Sequence, residues 1–387
     1  MAIAFIDLQA QRARIKDRLD EAVARVMEHG RFILGPEVTA FEKEMSAFSG
    51  AALTCSCGNG TDALALPLMA WGLRPGDAVF CPSFTFTATA EVVPWLGASP
   101  VFIDIDPRTY NMDPASLEAA IEEVVSKGEL RPKAVIAVDL FGQPADYPRI
   151  KEICDRFGLK LIADSAQGFG CTIEGKHPIE WADVVTTSFF PAKPLGCYGD
   201  GGAIQTNDPE MWALLDSLRI HGKATEEDMA AANYRGHEAK YLNPRIGMNS
   251  RLDTIQAAIL LEKLAIFADE IEMREKVARR YNELLEGHVS AVPFVGDGYQ
   301  SVWAQYTIEV ENRETVQERL REHEVPTAVY YPVPMHDQGP YKRFPSAPGG
   351  LPVTNEKKAK VLSLPMHPYL DEETQDRIVD AVRSAVD

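Results

Sequence analysis

The sequence predicts an α/β protein: a mostly parallel sheet between layers of helices, followed by a smaller α+β unit. Three observations carry this. From residue 58 to about residue 170, short apolar runs alternate with stretches of helical period. One uninterrupted helical pattern covers 250–287. Beyond it the strand-like and helix-like segments are fewer and shorter. Strands separated by helices imply parallel neighbours, because a parallel connection needs a crossover that a helix supplies.

Residues 7–29 repeat apolar positions at helical spacing and stop at Gly30, a plausible helix end. GPEVTAFEKEMSAFSG (35–50) reads as a second helix, with proline just inside its start and glycine past its end. AVFCP, PVFIDI, KAVIAVDL and LKLIAD read as short buried strands, alternating with helical stretches near 61–73, 85–97, 114–126 and 145–157. The stretch 222–244 is polar and weakly periodic and is expected to form a mobile loop or lid. The helix over 250–287 is expected to link two domains. After it come strand-like VWAQYTIEV (302–310), a helix near 314–323, VPTAVYYPVP (325–334) and a final helix near 371–386. The expected division is 1–250 for the large unit with its N-terminal helical segment, 251–285 for the linking helix and 286–387 for the small α+β unit.

Of the 387 residues 45% are hydrophobic and 25% charged, as in an ordinary soluble globular protein. The net charge of −18 and the lack of a basic run argue against a nucleic-acid partner. A small anion held by a few local donors stays open. No apolar run approaches the roughly 18 residues that span a bilayer. MAIAFIDLQAQRARIK shows no basic leader followed by an apolar stretch and a cleavage site. The expectation is a cytoplasmic protein with no membrane partner. The six cysteines at 55, 57, 81, 154, 171 and 197 form no C-x-x-C and read as reduced, mostly buried thiols, with no metal site expected.

Three stretches carry chemistry. CGNGTDALAL (57–66) leads glycine and asparagine into a helix that opens at Gly60 and Thr61. The first amides of a helix are unpaired and the dipole is positive there, so phosphate fits. Alone, the stretch is equally an ordinary capped turn. LIADSAQGFG (161–170) runs a buried strand into Asp164, with Gln167 three residues on. That carboxylate stands at the ligand edge of a parallel sheet, although a helix cap explains an isolated aspartate as well. SFFPAKPLGCYGDGG (188–202) sets Lys193 among apolar, aromatic and glycine residues. Burial lowers a lysine pKa, and a neutral amine forms a Schiff base with a carbonyl; by itself it is also a plain loop lysine. Together the three suit one ligand, with a phosphate for Gly60–Thr61, a ring nitrogen for Asp164 and an aldehyde for Lys193. Pyridoxal 5′-phosphate fits, and Phe86 in CPSFTFTATAE (81–91) is the candidate to stack on its ring.

With those residues in hand, the chain resembles the DegT/DnrJ/EryC1/StrS sugar aminotransferase family. The likeness runs through FIDL, ILGPEV (33–38), GNGTDAL, PSFTFTATAE, DIDPRTYN (104–111), IADSAQGFG, SFFPAKPLGCYGDGG, GMNSRLDTIQAA (247–258) and VLSLPMHPYL (361–370). The resemblance implies the PLP-dependent transferase fold of type I, with a seven-stranded sheet. It also implies amino transfer from L-glutamate to a nucleotide-linked keto sugar, through pyridoxamine 5′-phosphate. It points to C3 of a UDP-linked 2-acetamido-3-keto-glucuronate, used for surface polysaccharide. Under it Lys193 is the Schiff-base lysine and proton carrier, Asp164 holds the pyridinium, and Gln167 packs near the ring. Gly60, Thr61 and Ser188 bind phosphate. Asn249 reaches the phosphate from the second subunit of a homodimer. Arg245 and Arg251 are candidates for a substrate carboxylate, and Tyr330 and Tyr331 lie near the sugar. Relatives carry histidine then tyrosine where this chain has Tyr330–Tyr331, and the 222–244 segment is longer here; both features bear on the sugar. A pyridoxamine-dependent sugar dehydratase is disfavoured because such relatives replace the lysine with histidine. A non-catalytic PLP-binding sensor is disfavoured by the complete residue set. A dinucleotide dehydrogenase lacks its G-x-G-x-x-G.

Overall fold

The computed structural model describes residues 3–231 and 241–387. Its first half holds eight strands: β1 (Leu53–Cys57), β2 (Asp77–Pro82), β3 (Ser99–Ile103), β4 (Arg131–Val138), β5 (Lys160–Asp164), β6 (Thr172–Ile173), β7 (Val184–Ser188) and β8 (Gly202–Thr206). All but β6 form one seven-stranded sheet in the order β1-β8-β7-β5-β4-β2-β3. The pairs β2–β3, β2–β4, β4–β5 and β5–β7 are parallel, and β8 alone runs against its neighbours. Helices Gly60–Ala70, Thr87–Trp95, Pro114–Lys127 and Tyr147–Phe157 stand where the sequence period places them. The strands are buried on both faces, with Val79, Phe80, Val135, Ile136, Leu161 and Ile162 all at 0% exposure. Continuous apolar runs are what a doubly covered sheet selects.

The N-terminal pattern is broken once, into Leu8–Arg14 and Lys16–His29. Gly30 closes the second piece in the left-handed conformation (φ 69°), as Gly50 (φ 75°) closes Pro36–Ser49. The long helix is Thr254–Leu285, 32 residues. Its first half packs Ala257, Leu260 and Phe267 with Phe41 and Phe189. Its second half packs Val277, Tyr281 and Leu285 into a separate core with Tyr306, Leu362 and Ile378.

That second core is built on an antiparallel pair, β10 (Tyr306–Glu309) with β11 (Val361–Leu364), and on helices Arg313–Glu322, Pro352–Lys360 and Glu372–Val386. A short strand, β9 (Tyr299–Gln300), pairs with β6. Two expectations change here. The strand in 302–310 contracts to β10. VPTAVYYPVP is no strand, and keeps only the bridge Ala328↔Ser363; Pro326, Pro332 and Pro334 lack the amide that a ladder needs. Within 222–244, Glu226–Ala231 is helical, and 232–240 lies outside the described residues, so the expected lid is described only in part. Among the described residues no helix is long and apolar enough to cross a membrane.

Candidate active site

Parallel strands deliver their carboxyl ends to one edge of a sheet. Here that edge borders a cavity of about 680 Å³, lined by Gly60, Thr61, Phe86, Asp164, Gln167, Ser188, Lys193, Tyr330 and Tyr331 among others. The volume is in the range of small-molecule sites. Cross-strand register sets the floor: Asp164 lies opposite Val138 on β4 and Thr186 on β7, and Ser188 ends β7.

The cradle begins at Asn59, whose side chain accepts from the Asp62 amide at 2.8 Å and caps the helix Gly60–Ala70. The Gly60 and Thr61 amides come first in that helix, with no carbonyl behind them to bond. Glycine is required at 60 by space. A Cβ there would stand 2.5 Å from Ser188 Cβ and 3.0 Å from its Oγ. The helix start and the end of β7 therefore touch directly, which brings two amides and the Thr61 and Ser188 hydroxyls together. Ser250 braces the turn, accepting from Gly58 N at 2.9 Å and donating to Asp62 at 2.6 Å.

Asp164 is 4% exposed. Its Oδ2 accepts from Thr89 Oγ1 at 2.9 Å, and its Oδ1 from Ala166 N at 3.2 Å. Burial pushes its carboxyl above the usual range, against the pull of those donors and of Lys193. Beside it Gln167 is fixed at both ends: Oε1 accepts from Phe141 N at 2.9 Å, and Nε2 donates to Tyr331 Oη at 3.0 Å. Tyr331 is thus placed against the Asp164–Gln167 floor as well as the cavity. Behind the floor lies Asp139, fully buried, which accepts from Tyr147 Oη at 2.6 Å, from Ala145 N at 3.1 Å and from Ser165 Oγ. Burial raises its carboxyl to about 6 despite these donors. Thr89 and Asp139 are not among the residues that the sequence singles out. Thr89 lies in the first turn of the helix Thr87–Trp95, 75 residues before Asp164 in the chain, and Asp139 lies within the strand-like run KAVIAVDL.

Lys193 follows Phe190 in a tight loop held by Lys193 N→Phe190 O at 2.8 Å and Cys197 N→Phe189 O at 2.8 Å. Gly196 turns so closely that a Cβ would stand 2.5 Å from the Pro191 carbonyl. From the long helix the buried Lys263 ammonium donates to Gly196 O at 2.6 Å. Lys193 Nζ itself has no hydrogen-bond or ion-pair partner among the described residues. Burial lowers its pKa, and Asp164 partly opposes that. A partnerless amine biased toward its neutral form, sharing a cavity with a buried carboxylate, is a nucleophile and a proton carrier.

Phe86 precedes the helix Thr87–Trp95, 55% exposed, its ring 6.3 Å from that of Tyr331. Half-buried Tyr330 lines the cavity beside them. Asn249, Arg245 and Arg251 do not line it. Asn249 is exposed and bridges to Ile220. Arg245 is engaged within the chain, 2.7 Å from Asp228 and 2.8 Å from Ser217 Oγ. Arg251 is partly exposed on the same segment. Lys193 is the one basic side chain in the cavity wall among the described residues. The donor set fits pyridoxal 5′-phosphate: amides and hydroxyls for phosphate, a buried carboxylate for a ring nitrogen, and a free amine for an aldehyde.

Comparison with known proteins agrees. The DegT/DnrJ/EryC1/StrS aminotransferase family matches residues 13–383. The UDP-2-acetamido-2-deoxy-3-oxo-D-glucuronate aminotransferase of Pseudomonas aeruginosa is 48% identical over 369 residues, 95% of this chain and 96% of that protein. A crystal structure of a DegT DnrJ EryC1 StrS aminotransferase from Brucella abortus superposes with a TM-score of 0.94 at 51% identity, covering 99% of both chains. The S. venezuelae DesV structure in complex with a ketimine intermediate gives 0.89 at 33% identity, covering 99% of this chain and 98% of that one.

Proposed function

The chain belongs to the DegT/DnrJ/EryC1/StrS aminotransferase family, and from that premise we propose that it moves the amino group of L-glutamate to C3 of a UDP-linked 2-acetamido-3-keto-glucuronate. It is a PLP-dependent sugar aminotransferase. The observation that carries the finer reading is the 48% identity, over 95% of the chain, to an enzyme named for that keto sugar. The product suits surface polysaccharide synthesis, and the site of action is the cytoplasm.

The cofactor, when bound, supplies an aldehyde that carries the amino group and a ring that accepts electrons from the carbon being deprotonated. The chain supplies the rest. Gly60, Thr61 and Ser188 hold the phosphate. Asp164 would accept from the ring nitrogen and favour its protonated form. Gln167 and Phe86 fix the ring's orientation. Lys193 takes a proton from the α carbon of glutamate and returns one to C3 of the sugar, which needs the lowered pKa that burial gives it. Asn249 completes the phosphate site of a second subunit, consistent with its place on an exposed segment, so the working unit is a homodimer. Arg251, or Arg245 once released from Asp228, meets the sugar carboxylate from that side, since the cavity wall offers no guanidinium among the described residues. Two parallel bonds from arginine suit a carboxylate.

One expectation from the sequence favours a second reading. Tyr330 stands where related enzymes are expected to carry histidine, and a phenol cannot supply imidazolium charge. A different 3-keto or 4-keto nucleotide sugar is the alternative. Assaying amino transfer from ¹⁵N-labelled L-glutamate to a panel of UDP- and dTDP-linked keto sugars tests both. Preference for the 3-keto glucuronate supports the proposal; preference for a sugar without a carboxylate replaces it with the alternative.

A further inference from the structure

Behind the Lys193 loop lies a second, much smaller cavity of about 20 Å³, walled by Gln11, Arg274, His367, Ala192, Lys193 and Ile6 among others. Three of these residues carry buried polar atoms with no hydrogen-bond partner among the described residues: Gln11 Oε1, Arg274 Nη1 and His367 Nδ1. Orphaned buried groups are rare, because each costs its full desolvation. Three of them around one cavity point to a common ligand.

The chemistry of the three atoms selects it. Gln11 Nε2 donates to both oxygens of buried Glu270, at 3.1 and 3.0 Å, so the free Gln11 atom is an acceptor. Arg274 Nη1 is a donor. Burial lowers the pKa of His367, and a neutral imidazole nitrogen can act either way. The ligand must therefore donate and accept at once. Volume agrees: the cavity of about 20 Å³ exceeds the roughly 10–15 Å³ that one water needs. Charge agrees. Arg274 already has the Glu270 carboxylate one turn earlier on the same helix, and that attraction partly offsets its burial, so a neutral ligand suffices.

We propose that Arg274, Gln11 and His367 form a buried single-water site behind the catalytic lysine loop, and that Arg274 acts through it as a positioning residue for Lys193. The water joins three distant segments: the N-terminal helix Leu8–Arg14, the long helix Thr254–Leu285 and the turn after β11. The fourth wall is the Pro191–Pro194 loop itself. That loop is anchored at its far side by Lys263 on Gly196 O, and its near side forms part of the wall around the water site. The consequence for catalysis rests on the role given to Lys193 above, whereas the site does not.

A crystal structure of the holoenzyme, grown once in chloride and once in bromide, tests the site without any variant. The expected result is one density peak within about 2.7–3.2 Å of all three atoms, without anomalous bromide signal. No peak, or a bromide signal marking an anion site, overturns the proposal. Arg274→Met and Arg274→Lys in the holoenzyme test the positioning role. Arg274→Met should lose the peak, lower kcat about tenfold with KM for both substrates unchanged, and speed hydrogen exchange of the amides of 192, 193 and 195–197. Arg274→Lys should restore all three. Wild-type kcat and exchange in a folded Arg274→Met protein would overturn the positioning role. An inactive wild type whose density shows the water would instead count against the reading of Lys193.

Discussion

Replacing Asp164 with asparagine separates what the carboxylate costs from what it does. The residue is 4% exposed, and burial raises its pKa, so in the cofactor-free protein its charge is poorly compensated. Asparagine keeps the shape and an oxygen for the Ala166 amide, and the Thr89 hydroxyl can turn to serve it. The cofactor-free variant should therefore unfold no more easily than wild type, because a buried charge has been removed without orphaning its donors. With cofactor the sign reverses. A hydrogen bond to a charged group contributes about 1.5–3 kcal/mol against about 0.5–1.5 for a neutral pair. The loss of about 1–1.5 kcal/mol should weaken cofactor binding about tenfold, and turnover should fall about 10²–10³-fold because the ring nitrogen is no longer held positive. Fluorescence titration of the cofactor, thermal unfolding with and without it, and kcat measure the three effects. An Asp164→Asn protein that binds cofactor and turns over as wild type, or that loses several kcal/mol of stability without cofactor, would refute this reasoning.

Gly60→Ala should cost about 1–3 kcal/mol of stability by overpacking and raise the cofactor Kd more than tenfold, since its Cβ would stand 2.5 Å from Ser188 Cβ; unchanged affinity by titration would mean that the helix start is not the phosphate cradle. Lys193→Ala should fold with a thermal midpoint at least equal to wild type, because no hydrogen bond or ion pair among the described residues is lost, while retaining less than about a few per cent of turnover. For Asp139 the folded-state pKa is raised from 3.8 to about 6. Its contribution is therefore fully present below about pH 4 and lost as pH rises through 6, a change of about 3 kcal/mol. Urea denaturation of the cofactor-free protein between pH 4 and 7 should show this fall in wild type and a shallower one in Asp139→Asn.

The sequence was most legible where one physical rule acts alone. The four apolar strand runs, the 32-residue helix and the caps Gly30 and Gly50 stand close to where period and turn chemistry place them. Strands β1, β7 and β8 went unread because LTCSC, VVTTS and GAIQT are short and rich in small and hydroxyl side chains, which become buried only by pairing with each other. β11 hid inside VLSLPMHPYL, where Pro365 follows it directly. Seven of the residues expected around the cofactor and the two tyrosines expected near the sugar do share one cavity. The residues that support them, Thr89, Asp139 and Lys263, left no local signal, because each acts across the fold rather than along the chain. Asn249, Arg245 and Arg251 lie off that cavity, as expected for Asn249 if a second subunit receives it.

The most direct test of the central claim is the absorbance spectrum of the purified protein, supplied with pyridoxal 5′-phosphate, before and after L-glutamate. The account predicts a yellow band that Lys193→Ala changes and that moves to shorter wavelength when glutamate is added. A protein that shows no band with the cofactor supplied, or a band that glutamate leaves unaltered, would contradict it.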